Sequence, residues 1–186
     1  MANHRIAVVG GDGIGPEVTA EAMKVLNAAA EVYGFTVEAN EYPYGTQHFL
    51  DTGEKFPESA LDEMRKHDAI YLGAIGDPRV EVGMMERAII AGIRFKLDLF
   101  VNLRPIKLYD ERLCPLKGKK PEDVDLVVVR ENTEDAYAGI GGILKKDTPN
   151  EVATQTMIYT RDGVERVIRY AFELARSRDK KKRRRR

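Results

Sequence analysis

Short β-branched runs alternate with helical segments along the first hundred residues, and this alternation constrains the fold more than any other feature. RIAVVGG (5–11) is a compact apolar run closing on glycines, which reads as a buried strand and a turn. Pro16 suits the first turn of a helix, and the segment up to Gly34 carries Val18, Ala22, Val25, Leu26 and Ala29 at helical spacing. The pattern predicts a strand over 35–42, a helix over 58–67, a buried strand over 68–76 and a helix over 84–95. Such alternation implies βαβ units with right-handed crossovers, hence an α/β fold with a mostly parallel sheet and flanking helices.

Beyond residue 98 the pattern loosens. Strands are predicted over 98–106 and 125–130, separated by a loop-rich stretch with Pro115, Gly118 and Pro121. Residues 139–151 form a glycine-punctuated excursion, and VATQTMIYT (152–160) alternates like an exposed antiparallel strand. A helix over 161–178 presents Val164, Val167, Ile168, Ala171, Phe172 and Ala175 on one face. A parallel strand–helix architecture normally continues with another strand, so the chain reads as a truncated, incomplete fold.

The chain has 186 residues, enough for one ordinary domain with a sizeable core. No apolar run is long enough for a transmembrane span, and the N-terminus lacks the apolar stretch of a secretory signal. Cys114 is the single cysteine, which excludes an intrachain disulfide and fits a reducing cytoplasm. The formal charge of zero hides an asymmetry, because residues 180–186 read KKKRRRR. Without those seven cations, 23 basic residues face 30 acidic ones, a body of net charge −7. Such a run reads as a solvated tail or as a contact for nucleic acid, without the aromatic interleaving that single-strand stacking needs.

GGDGIGPE (10–17) links a strand to a helix, where backbone N–H groups can meet an anion. It departs from the dinucleotide fingerprint at Pro16 and from the phosphate-loop pattern at Pro16 and Glu17, so it also reads as a plain tight turn. His4, His48 and His67 have no metal-ligand spacing, and Cys114 has no histidine nearby.

Arg94, Arg104 and Arg130 each lie beside an apolar segment. A cation near buried surface needs an anionic partner. Asp98, Glu131 and Glu134 are candidate internal partners. The alternative is a trap for a small di- or tricarboxylate, because guanidinium matches carboxylate in bidentate geometry. Tyr137 follows a predicted strand end by seven residues, in the kind of loop that binds ligands in α/β proteins. As a proton donor it would need a neighbouring cation, for which Arg130 is the candidate.

Four runs, GDGIGPEV (11–18), LDLFVNLRP (97–105), DLVVVRENTEDAYAG (125–139) and GVERVIRYAFELAR (163–176), resemble the β-decarboxylating dehydrogenases in order and spacing. That family includes isocitrate, 3-isopropylmalate, homoisocitrate and tartrate/malate dehydrogenases. The resemblance spans residues 4–178 and implies an isopropylmalate dehydrogenase-like fold. Residues 1–98 would be the N-terminal part of the cofactor-side domain. Residues 99–178 would be part of the substrate and dimerisation domain, with a dimer-forming arm over 139–160 and a basic tail over 179–186.

The implied reaction is NAD-dependent oxidation and decarboxylation of a 2-hydroxy acid with Mg²⁺ or Mn²⁺, in the cytoplasm and, for 3-isopropylmalate, within leucine biosynthesis. Arg94, Arg104 and Arg130 would bind substrate carboxylates, and Tyr137 would donate a proton. Ile14, Gly76 and Glu86 would approach the nicotinamide. The resemblance puts the catalytic lysine, the metal ligands and the adenosine loop in a missing half, leaving no metal ligand in this chain and an inactive isolated polypeptide. Met84, Met85, Ile89 and Ile90 make the 84–94 segment apolar, which favours an isopropyl group or reflects core packing. The alternative function is a non-catalytic dimerisation or binding module whose basic tail contacts nucleic acid.

Overall fold

The structure is a computed structural model that describes residues 2–178. The expected basic tail lies outside the described residues. The chain forms two compact units that divide between Leu97 and Asp98.

In the first unit, strand β1 (Asn3–Gly11) runs between β2 (Thr36–Tyr42) and β3 (Ala69–Ala74), and both pairings are parallel. Helix α1 (Gly15–Tyr33) connects β1 to β2 and ends at Gly34, whose left-handed φ of 73° lets its N–H return to the Ala30 carbonyl at 2.9 Å. The alternation of the sequence is thereby realised as a parallel sheet. Ala7 and Val9, two residues apart on β1, point to one face. There they join Leu61 and Met64 of helix α3 (Glu58–Met64) and Met85, Ile89 and Ile93 in one buried cluster.

Three details depart from the sequence pattern. A short helix, α2 (Thr46–Thr52), occupies a stretch predicted as loop. The helix predicted over 84–95 is wound as a π-helical segment, Glu86–Ala91, running into helix α4 (Gly92–Lys96). The inner face of helix α1 agrees with the expected one in part: Ala22, Leu26 and Ala29 are half-buried beside buried Thr19 and Ala30, whereas Val18 and Val25 are exposed, Val25 at 71%. An alanine-rich helix offers several faces of similar hydrophobicity, so spacing alone does not choose between them.

In the second unit, β4 (Val101–Lys107) pairs antiparallel with β5 (Asp125–Glu131). The connection over 108–124 is loop carrying two single 3-10 turns, Glu111–Leu113 and Pro121–Asp123. Strands β6 (Asp135–Leu144) and β7 (Val152–Ile158) form a second antiparallel ribbon, irregular between Asp135 and Ile140. The first part of the glycine-punctuated excursion, 139–144, is thus strand, and 145–151 is the turn that joins β6 to β7. Helix α5 (Arg161–Ser177) begins at Thr160, whose hydroxyl accepts the Gly163 N–H at 3.0 Å. No helix among the described residues is long and apolar enough to cross a membrane.

Candidate active site

The pairing register of β4 and β5 sets the site. Asn102 lies opposite Arg130, and Arg104 lies opposite Val128. Residues opposite each other in an antiparallel pair share a face, and alternate residues along a strand share it too. Arg104 and Arg130 are therefore diagonal neighbours on one face of the ribbon, close enough for their long side chains to serve one ligand.

Tyr137, on β6, completes the group. The Arg130 guanidinium carbon lies 4.9 Å from the Tyr137 ring centroid, and its Nη2 donates to the phenol oxygen. Because the arginine donates, the phenol hydrogen is directed elsewhere, as a proton donor requires. The structure thus sets Tyr137 against Arg130, with Arg104 the diagonal neighbour of Arg130 on the same face of the ribbon. Arg94 is half-buried on α4 in the other unit.

The three acids named as candidate internal partners are all engaged elsewhere. Asp98 receives Arg166 through two hydrogen bonds of 2.6 and 2.9 Å. Glu131 accepts from the Thr133 hydroxyl at 2.6 Å and from the N–H groups of Thr133 and Glu134. Burial raises the Glu131 pKa, but these donors outweigh it and hold the carboxyl below its ordinary range. Glu134 accepts from the N–H and hydroxyl of Thr160, tying the start of β6 to the start of α5. Among the described residues, neither Arg104 nor Arg130 forms an ion pair. Two adjacent cations facing outward without acids leave a charge demand that an anionic ligand can meet.

In the first unit, the β1–α1 turn and the turn after β3 are built around Asp12, which the sequence reading passed over. Its buried carboxylate accepts the Thr46 N–H at 2.6 Å, the Thr46 hydroxyl at 3.0 Å and the Gly76 N–H at 3.0 Å. An aspartate among the glycines of a strand-to-helix turn was the available signal. Gly11 is obligatory here, because its φ is 77° and an added Cβ would lie 2.1 Å from the Ala74 carbonyl oxygen. The close approach of β1 and β3 thus accounts for much of the glycine-rich loop. Ile14 stands 65% exposed ahead of α1. Gly76 has a φ of 137°, and a Cβ there would come 3.0 Å from a Glu86 carboxylate oxygen, so Glu86 and Gly76 are neighbours.

These residues fit the ring end of a dinucleotide, offering an exposed apolar side chain and a turn with no side chain of its own. They do not fit its phosphates. Pro16 lacks an N–H and the Gly15 N–H is taken by the Asp12 carbonyl at 2.8 Å. No group of three His, Cys, Asp or Glu among the described residues is placed to share a metal ion. Met85 and Ile89 are fully buried in the core cluster and cannot line a substrate pocket, which removes them from the case for an isopropyl group.

The family model for isocitrate/isopropylmalate dehydrogenases matches residues 5–183, and the chain belongs to that family. Among individual relatives, a 3-isopropylmalate dehydrogenase of Thermobifida fusca is 53% identical over 171 residues, 92% of this chain and 48% of the relative. One from Corynebacterium glutamicum is 53% identical over 178 residues, 95% of this chain and 51% of the relative. The chain spans about half the length of the curated relatives it matches. The crystal structure of isocitrate dehydrogenase from Methylococcus capsulatus superposes with a TM-score of 0.76 at 35% identity, over 93% of this chain and 48% of that one. A β-decarboxylating dehydrogenase from Thermococcus kodakarensis gives 0.62 at 33% identity, over 94% and 46%.

Proposed function

We propose that this chain supplies the carboxylate grip and proton donor for NAD-dependent oxidative decarboxylation of a 2-hydroxy dicarboxylate, with 3-isopropylmalate as the preferred substrate. The observation that carries this reading is the pair Arg104 and Arg130, side by side on one sheet face without an acidic partner among the described residues and with Tyr137 against one of them. The names of the curated relatives support 3-isopropylmalate.

In this reading Arg104 and Arg130 hold and orient carboxylates, a positional constraint that raises the effective concentration of the reacting groups. Arg94, the third arginine expected to bind a carboxylate, lies on α4 in the first unit. Tyr137 delivers its phenol proton to the carbon skeleton after carbon dioxide has left, while the Arg130 hydrogen bond stabilises the phenolate that results. The dinucleotide, when bound, accepts the substrate hydride. Ile14, Gly76 and Glu86 hold its nicotinamide end. Residues 1–98 would form the cofactor side, and 99–178 the substrate and dimerisation side. Mg²⁺ or Mn²⁺ would be held by residues outside this chain.

The chain alone forms no NADH from 3-isopropylmalate and NAD with Mg²⁺ in this account, and turnover by the purified polypeptide would refute that. The grip is tested by nuclear magnetic resonance titration of the 186-residue chain with 3-isopropylmalate. The Arg104 and Arg130 guanidinium signals and the Tyr137 ring should shift together. Saturation without change at those three positions would sink the reading.

A second reading, dimerisation, rests on the β6–β7 ribbon. Ile140, Ile143, Leu144, Val152 and Met157 are all exposed there, which gives the 139–160 arm an apolar surface for a second copy. Salt-dependent DNA binding that vanished on deleting 180–186 would instead favour a nucleic-acid contact through the tail.

A further inference from the structure

Arg104 is held in place by neutral groups. Its Nε–H donates to the Asn102 side-chain oxygen at 2.8 Å. The Asn102 amide nitrogen donates to the side-chain oxygen of Asn132 at 3.4 Å. Asn132 is 6% exposed, and its own amide nitrogen donates to the Leu99 carbonyl at 3.2 Å. The three bonds run in one direction, from guanidinium through two amides to the main chain, so each amide accepts on one side and donates on the other. All of these residues lie in the second unit.

This arrangement is chemically specific. An aspartate at position 102 would anchor the guanidinium as well but would neutralise its charge. An alanine would leave the charge but release the side chain to its many rotamers, whose restriction costs binding free energy. Asn102 also lies opposite Arg130 in the strand register, so an acid there would quench both cations. Only a neutral acceptor fixes Arg104 through Nε and leaves both terminal nitrogens charged and available for a two-point contact with a carboxylate.

We infer that Asn102, anchored by buried Asn132, is a positioning residue that aims the Arg104 guanidinium at an anionic substrate group without neutralising it. The inference rests on the carboxylate-grip reading and names the device that makes the grip work.

The test is nuclear magnetic resonance on the full chain, following the Arg104 Nε–H signal and its titration with 3-isopropylmalate. In the wild type the Nε–H should exchange slowly with water and shift on addition of the dicarboxylate. Asn102→Ala should lose that protection and bind about tenfold more weakly, the size expected for losing a hydrogen bond to a charged group. Asn102→Asp should keep the protection yet bind at least as weakly as Asn102→Ala, an outcome a merely structural role would not produce. Asn132→Ala, if it folds, should repeat the alanine result.

Wild-type affinity in Asn102→Asp, or an unchanged Nε–H signal and affinity in Asn102→Ala, would overturn the inference while leaving the grip intact. If the wild type shows no shift at Arg104 or Arg130, the grip reading fails first and this inference falls with it.

Discussion

Ten of the eleven buried apolar side chains among the described residues lie in the first unit, and only Leu108 lies in the second. In the first unit, parallel strands carry helices and bury a continuous cluster. The second is built from antiparallel ribbons whose Leu103, Ile106, Leu126 and Val128 remain more than 40% exposed. It is organised by polar ties instead: Arg166 to Asp98, Glu134 to Thr160, and Arg178 to Asp125. The contrast separates two tasks. A hydrophobic core stabilises, whereas an open strand face can hold two arginines whose charges stay hydrated until a ligand replaces the water.

The largest effect that could break this comparison is a cavity in the first core. Ile89 is fully buried, so Ile89→Ala should cost about 3 kcal/mol in urea denaturation followed by a probe in that unit. Val128→Ala, on the exposed face of β5, should cost less than about 1 kcal/mol. Equal losses would mean that the two units do not differ in this way.

Smaller effects are expected at the polar ties. Thr160→Ala removes the α5 cap and should cost about 1 kcal/mol, read as faster amide exchange in the first turn of α5. Glu131 sharpens the comparison through pH. Its folded pKa is depressed, so its contribution is present above the unfolded value of about 4.3 and is lost as pH falls through the folded pKa. Glu131→Gln should flatten that acid limb in the second unit and leave the first unchanged. At the bottom of the scale, Glu165→Gln breaks an exposed i,i+4 pair with Arg169 and should change stability by no more than about 0.5 kcal/mol.

The parts legible in the sequence were those governed by local periodicity and by spacing along one strand. Pro16 and Gly34 bracket α1, and the β-branched runs gave β1, β3 and β5. Seven residues separate Arg130 from Tyr137, and their contact follows from that short connection. Features that depend on pairing were hidden. Glycines 141 and 142 read as loop punctuation, yet β6 accepts them because β7 supplies the ladder, and Gly139, with a φ of 68°, falls in the irregular stretch before it. The π-helical winding of 86–91 left no mark in the apolar spacing. Asp12 and Thr46 are 34 residues apart in the chain, and no local pattern announces their hydrogen bonds. The ambiguity over the arginines had the same origin: whether Asp98, Glu131 and Glu134 neutralise them depends on which donors the fold presents to those acids.

Calorimetry with 3-isopropylmalate on the wild-type chain, Arg104→Ala, Arg130→Ala and the double variant reaches the central claim most directly. A shared grip predicts that each single loss weakens binding by about tenfold or more and that the double variant loses less than the sum, because either arginine alone cannot hold the dicarboxylate in place. Undiminished affinity in both single variants would contradict it.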